Sequence, residues 1–395
     1  MRRAFVIAVV VGTALAAPAA ARAHTNLVRT QPADGAVLAG APGRVLVVFD
    51  DQVRVAPGNA AIRNGGGSIL AAKPQARGKT LVLPLRRGLG DGDYSVRWSV
   101  VSDDGHIVQG VLAFGVGLGR APPEPALRPA NQLGFESTLA RLLFFGGLLV
   151  ASGLALFDVL VWRPLARRGL GTGWIAIGLG AVFVSAHGLV HVSHGGSATR
   201  FGLVIEITSA VAATGAAAAA IAFVDRTAAK FALVPAIAVL AGPTLAGHAL
   251  DPGRSWIEVP IDLLHTVAAA IWIGGLFALA LVVPRVVASP DLITAAARRF
   301  SRLALASVVV LAVTGAVRAL AELSSVSQLW TTGYGRAILV KTGIFALLLG
   351  AATVSRSRVS ASVERLRTAV TVELVLASGI VVAVSVLTAL RPGRR

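Results

Sequence analysis

The sequence predicts an all-β sandwich followed by an all-α polytopic membrane bundle of about eight transmembrane helices. Three observations carry that prediction. The 395-residue chain is 55% hydrophobic and only 14% charged, with a mean hydropathy of +0.74, which is too apolar for a soluble protein and suits a multi-span helical one. Its first quarter departs from this pattern, with short β-branched or alternating runs set apart by Gly, Pro, Asp and Asn clusters. From Phe135 onward, eight apolar runs follow one another, each reaching the ~20 residues a bilayer helix needs.

Residues 1–23 read as a secretory signal: Arg2 and Arg3 form a charged start, Ala4–Ala17 a short apolar stretch, and Ala21-Arg22-Ala23 an A-x-A cleavage site. Cleavage there makes His24 the first residue, so one residue carries both a free α-amine and an imidazole that can chelate a metal together. Residues 24–117 predict the sandwich, with strands at Val45–Phe49, Ala60–Arg63, Thr80–Leu85, Tyr94–Val101 and Gly110–Val116. Turn clusters lie at Pro32–Gly35, Asn64–Gly67 and Gly90–Asp93, and Trp98 is expected in the core. Asp103-Asp104-Gly105-His106 falls in the turn before the last strand, where Asp104 and His106, two apart, can aim at one ion. Residues 118–134, with Pro122, Pro123, Pro125 and Pro129, predict a semi-rigid linker.

The predicted spans are 136–162, 173–194, 203–224, 231–250, 261–284, 303–323, 336–354 and 369–390, making residues 135–390 a transmembrane domain. One set of connections holds Arg163, Arg167, Arg168, Arg226, Lys230, Arg285, Arg298, Arg299, Arg302, Arg356, Arg358, Arg365 and Arg367. The opposite set holds little beyond Arg200, Arg254 and Arg336. The positive-inside rule then makes the first set cytoplasmic. The expected location is the inner or plasma membrane, multi-pass, with the N-terminal domain on the periplasmic or extracellular side. The formal net charge of +18 is accounted for by these flanking residues, and no nucleic-acid-binding motif accompanies it.

Composition narrows the chemistry further. With no cysteine and Met1 as the single methionine, disulfides, iron–sulfur clusters, thiolate sites and a thioether path for Cu(I) are excluded. A metal must be held by histidine, carboxylate or backbone. All seven histidines sort to one side: His24 and His106 in the sandwich, His187, His191 and His194 at the outer end of span two, His248 at the end of span four, and His265 one turn inside span five. Ionisable groups are costly within a bilayer, so such a cluster points to a functional site. Each can also serve as a hydrogen-bonded anchor between helices. Asp262, Glu206 and Lys341 are expected in support, with Glu206, Asp262 and Glu373 as partners for Lys341 unless it snorkels outward. Asp158 is expected as a structural polar contact, and Gly146-Gly147 and Gly274-Gly275 as close helix packing. No phosphate loop, nucleotide motif or nucleophile constellation is present, so the expected protein is not an enzyme.

Two resemblances sharpen this reading. His24, Pro32-Ala-Asp-Gly35, the strand ending at Phe49, Gly92-Asp-Tyr94, Trp98 and Val101-Ser-Asp-Asp-Gly-His106, leading to Gly110 and Phe114, resemble the CopC family of periplasmic copper-binding proteins, with an immunoglobulin-like sandwich. The resemblance implies a Cu(II) site made by His24, Asp104 and His106, without the methionine-rich Cu(I) site of some members. Gly247-His248-Ala249, Asp262-Leu-Leu-His265, Ala270-Ile-Trp272-Ile-Gly274-Gly275, Arg299-Phe300-Ser301, Thr332-Gly-Tyr334-Gly335 with Leu339 and Lys341, and Glu364-Arg365-Leu-Arg367 with Glu373 resemble the CopD family of copper-resistance membrane proteins. Ala351-Ala-Thr-Val departs from it where relatives often carry asparagine.

Together these imply a fused CopC–CopD protein. It would capture Cu(II) outside the membrane and pass it to an outer histidine site shared by His187, His248 and His265, with His191 and His194 nearby, for import. Its partners would be the copper ion, the lipid bilayer and a periplasmic copper donor. Two alternatives stay open: a b-type haem electron-transfer protein using paired histidines on facing helices, and a periplasmic copper buffer conferring tolerance, with the bundle as anchor.

Overall fold

A computed structural model describes residue 25 and residues 27–102, 107–127, 135–166, 169–170, 172–192, 199–247, 249, 255–286, 289–323, 325–358 and 363–390. The predicted signal segment, His24, Asp104, His106, His194 and His248 lie outside the described residues.

Among the described residues, the N-terminal domain has nine strands: β1 (Leu27–Gln31), β2 (Ala36–Leu38), β3 (Arg44–Phe49), β4 (Val53–Val55), β5 (Ala60–Arg63), β6 (Gln75–Arg77), β7 (Thr80–Pro84), β8 (Gly92–Ser102) and β9 (Ile107–Val116). They form two sheets, β1-β3-β7-β6 and β2-β9-β8-β4, with β5 also paired to β8. Alternation does the folding work on β3, where Val45, Val47 and Phe49 point inward against Leu81 and Leu83 of β7 and against Tyr94, Val96, Trp98 and Val100 of β8. Trp98 is core, as expected, and stands edge-on to Phe49 at 5.4 Å. Its cross-strand partner is Gly110, where any Cβ would collide with the indole, so the glycine makes room for the tryptophan. Four strands, β1, β2, β4 and β6, were not expected from sequence. β2, β4 and β6 are three residues long, too short for a period to register, and β1, Leu-Val-Arg-Thr-Gln, does not alternate.

The proline-rich segment is not wholly a linker. Arg120 pairs with Asp93 at 2.9 Å, Asn64 Nδ2 donates to Glu124 O at 3.2 Å, and Ala126 N donates to Ser95 Oγ at 2.8 Å. The segment through Ala126 is therefore strapped across the β8 side of the sandwich, covering Ser95, which is fully buried.

The helical region is α1 (Phe135–Phe157), continued by a π-turn at Asp158–Trp162; α2 (Gly173–Val192); α3 (Arg200–Ile221); α4 (Ala229–Ala238) and α5 (Ala241–Ala246); α6 (Ser255–Phe277), continued by a π-turn at Ala278–Val282; α7 (Val283–Val286); α8 (Pro290–Glu322); α9 (Gln328–Thr331); α10 (Gly333–Arg358); and α11 (Val363–Leu387). Among the described residues, eight helical segments are long and apolar enough to cross a membrane, with α4 and α5 acting as one broken span. Span six starts at Pro290 rather than 303, so Arg298, Arg299 and Arg302 lie on a helix and not in a loop. Hydropathy hid this start, although Ser289, Pro290 and Asp291 spell a helix N-terminus.

Small residues set the packing around α1. A Cβ on Gly147 would stand 2.7 Å from Gly178 O, and one on Gly153 would stand 2.5 Å from Gly274 Cα. Helices α2 and α6 thus approach α1 backbone to backbone. Gly275 lies under the Phe300 ring, whereas Gly146 faces open space. At the far end of α1, buried Asp158 accepts from Arg163 Nε at 2.6 Å and Leu170 N at 3.0 Å, and Arg299 Nε donates to Leu160 O at 2.8 Å within the π-turn. Asp158 is therefore the structural contact that was expected.

Gly153→Leu is expected to destabilise the detergent-solubilised protein by about 3 kcal/mol or more, since overpacking here meets backbone rather than a movable side chain. Gly146→Leu should leave the thermal midpoint unchanged. Fluorescence-detected size exclusion after heating checks both.

Candidate functional site

Helices α2 and α3 run antiparallel, tied by Thr172 Oγ1 donating to Ala219 O at 3.0 Å and by Leu179 lying against Gly215. That register brings His187 opposite Ser209. His187 Nδ1 lies 2.8 Å from Ser209 Oγ, and the Phe183 ring, one turn earlier on α2, flanks the imidazole at 4.9 Å. The Ser209 hydroxyl is fully buried and donates to Phe183 O at 3.4 Å. With its proton spent on that carbonyl, the hydroxyl accepts from His187 Nδ1, and the arrangement favours the tautomer whose Nε2 keeps its lone pair.

The same device recurs between α6 and α8, also antiparallel. His265 Nδ1 lies 2.8 Å from Thr314 Oγ1, and that hydroxyl donates back to Val310 O at 2.6 Å. Again Nδ1 donates and Nε2 is left for a ligand. Gly315 lies against the imidazole edge, 3.7 Å from where its Cβ would be. One turn earlier on α6, Asp262 Oδ1 meets Arg318 Nη1 at 2.6 Å. Lys341 on α10 is within electrostatic reach of Asp262, Arg318 and His265. Helix α10 approaches α6 through Trp272 and Phe345, whose rings are 5.6 Å apart.

Of the expected shared site, His187 and His265 are described and His248 is not. His187 is bonded at the α2–α3 interface and His265 at the α6–α8 interface, each to a hydroxyl of the neighbouring helix, while α1 packs against both α2 and α6, which also meet through Trp174 and Phe277 at 5.5 Å. Among the described residues, no three of His, Cys, Asp and Glu converge as a metal cluster. His191 is exposed at the end of α2, and Glu206 is exposed on α3. Arg200 Nη2 donates to Gly247 O at 3.2 Å, so α3 also touches the end of α5.

Sequence reasoning missed three residues. Arg318 carried a usable signal, an arginine within an apolar span, by the same rule that singled out the histidines. Ser209 and Thr314 carried none, because hydroxyls are ordinary in membrane helices.

A tautomer measurement tests the geometry. In histidine-labelled protein, ¹⁵N NMR should find Nδ1 protonated and Nε2 unprotonated for the neutral rings of His187 and His265. Thr314→Val should shift His265 to a mixed population, at a cost of about 1 kcal/mol in stability.

Known proteins resemble the chain in two parts. Residues 27–117 match the CopC domain, and residues 294–387 match copper resistance protein D, or CopD. Copper transport protein CutJ of Bacillus subtilis (strain 168) is 25% identical over 367 residues, covering 84% of this chain and 67% of CutJ. Copper resistance protein C of Xanthomonas campestris pv. juglandis is 32% identical over 123 residues, covering 29% of this chain and 96% of that protein. The crystal structure of CopC from Methylosinus trichosporium OB3b is 28% identical, with a TM-score of 0.22, and covers 27% of this chain and 100% of its own. The chain therefore belongs to the CopC family through its sandwich and joins that domain to a CopD domain in a single multi-pass membrane polypeptide.

Proposed function

We propose that this protein handles copper at the membrane, in transport or resistance, by capturing Cu(II) on its sandwich and delivering it to histidines of the bundle for import. The observation that carries the reading is the union of CopC and CopD domains in one chain, which places a capture module and a membrane module under one tether. The relative CutJ, a copper transport protein aligned over most of the chain, supports it.

The donor chemistry fits. His24, through its amine and imidazole, with Asp104 and His106, forms a nitrogen- and oxygen-rich set of the kind Cu(II) binds most tightly among divalent first-row ions. In the bundle, His187 and His265 offer Nε2 atoms pre-oriented by hydroxyl contacts at Nδ1, as metal-ligating histidines usually are. His191, His194 and His248 extend this reading at the same side of the membrane. The sandwich is assigned to the periplasmic or extracellular side, and a periplasmic donor would load it. Because the two described histidines stand at separate interfaces, we read them as successive stations rather than one centre.

Proteoliposomes with oriented full-length protein test the reading. Copper uptake is expected to fall by an order of magnitude or more in a His187→Ala/His265→Ala variant, while Cu(II) binding at the sandwich persists by electron paramagnetic resonance. Unchanged uptake would remove these residues from the transport path. A Soret band in the purified protein would instead favour the haem reading.

A further inference from the structure

Two rungs join α6 to α8. On α6, Asp262 and His265 are three apart and share a face; on α8, Thr314 and Arg318 are four apart and share the facing one. One rung is Asp262–Arg318 at 2.6 Å, and the other is His265–Thr314 at 2.8 Å. They are filled differently. Thr314 is a short neutral acceptor that fixes the imidazole and leaves Nε2 open. Arg318 is a cation on a long, flexible stem, with its side chain 46% exposed while that of Asp262 is 13% exposed. A second carboxylate lies within its swing, because Glu322 is four residues further along the same face of α8. Glu258, in the first turn of α6, is four residues before Asp262. Lys341 adds a further positive charge beside the rungs, so Asp262 cannot balance both a guanidinium and a metal ion.

The geometry points to Arg318 as a displaceable counter-cation on a copper relay site formed by His265 Nε2 and the Asp262 carboxylate. This rests on the copper-handling reading above. The guanidinium occupies the position of a cargo cation on Asp262. A copper ion reaching His265 binds the imidazole first. It then takes Asp262 as a second ligand as Arg318 swings one turn along α8 to Glu322. One cation replaces another on a carboxylate; no electron moves and no proton is gained or lost. Asp262 is never left as an unpaired charge within the membrane, which is the costly state. Return of Arg318 then competes the ion off, so the site hands copper on instead of storing it.

The test uses the full-length protein in lipid nanodiscs titrated with Cu(II). Electron paramagnetic resonance provides the readout, and His265→Ala defines the signal that belongs to this site. Arg318→Met keeps the apolar stem and is expected to raise the affinity of that signal about tenfold, with Asp262→Asn in the same chain abolishing the gain. Arg318→Lys, which retains a displaceable cation, should stay within about twofold of the unmodified protein. Glu322→Gln removes the alternative carboxylate and should lower affinity, and it serves if Arg318→Met does not fold. A His265-dependent signal of unchanged affinity in Arg318→Met or Glu322→Gln overturns the counter-cation role and leaves the copper-handling reading standing. No His265-dependent signal at all overturns the relay site and delivery of copper to His265, while the sandwich signal in the same spectra tests the capture step separately.

Discussion

At Gly153 and Gly274 two membrane helices touch through their backbones, and at Gly147 and Gly178 a third joins them. A bilayer offers no hydrophobic force to press helices together, so close packing of small residues must supply the attraction. α1 is consequently the hub: it packs against both α2 and α6. His187 turns away from α1 toward α3, and His265 turns away toward α8.

A second constraint acts on each station. A polar group inside the membrane must find its partner within the protein. Serine and threonine meet this demand at no charge cost, and because each gives its own proton to a helix carbonyl, each can only accept from the imidazole. A structural need of the helix backbone thereby fixes which histidine nitrogen faces a ligand. The Asp262–Arg318 pair meets the same demand with charges, and a charged solution can be exchanged where a neutral one is fixed.

Much of this was legible in the sequence, for identifiable reasons. The eight spans and the long strands β3, β7, β8 and β9 announce themselves through length, apolarity and alternation. The start of α8 did not, because Arg298, Arg299 and Arg302 look like loop residues to a hydropathy scale while being ordinary residues of a helix that projects beyond the apolar layer. His187 and His265 stood out as rare intramembrane groups, yet their partners did not. Pairing of His187 with Ser209, or of Asp262 with Arg318, depends on the register between helices, and no spacing within one helix encodes it. The idea of a single shared histidine site rests on this level too: the sequence places each histidine along its own helix, but not against the neighbours of that helix.

The strap across the sandwich bears on how fast cargo can move. Its last bond is made by Ala126, and α1 begins at Phe135, so eight residues separate a body fixed to the sandwich from one fixed to the bundle. Fully extended, such a tether reaches at most about 30 Å. The sandwich is then confined to a small volume over its own bundle, at an effective concentration in the millimolar range. Under the proposed function, transfer between the two would be an intramolecular search whose rate is independent of how dilute copper is outside. The strap, by halving the number of residues left between the two domains, would under the proposed function favour delivery to the attached bundle over delivery to a neighbouring one.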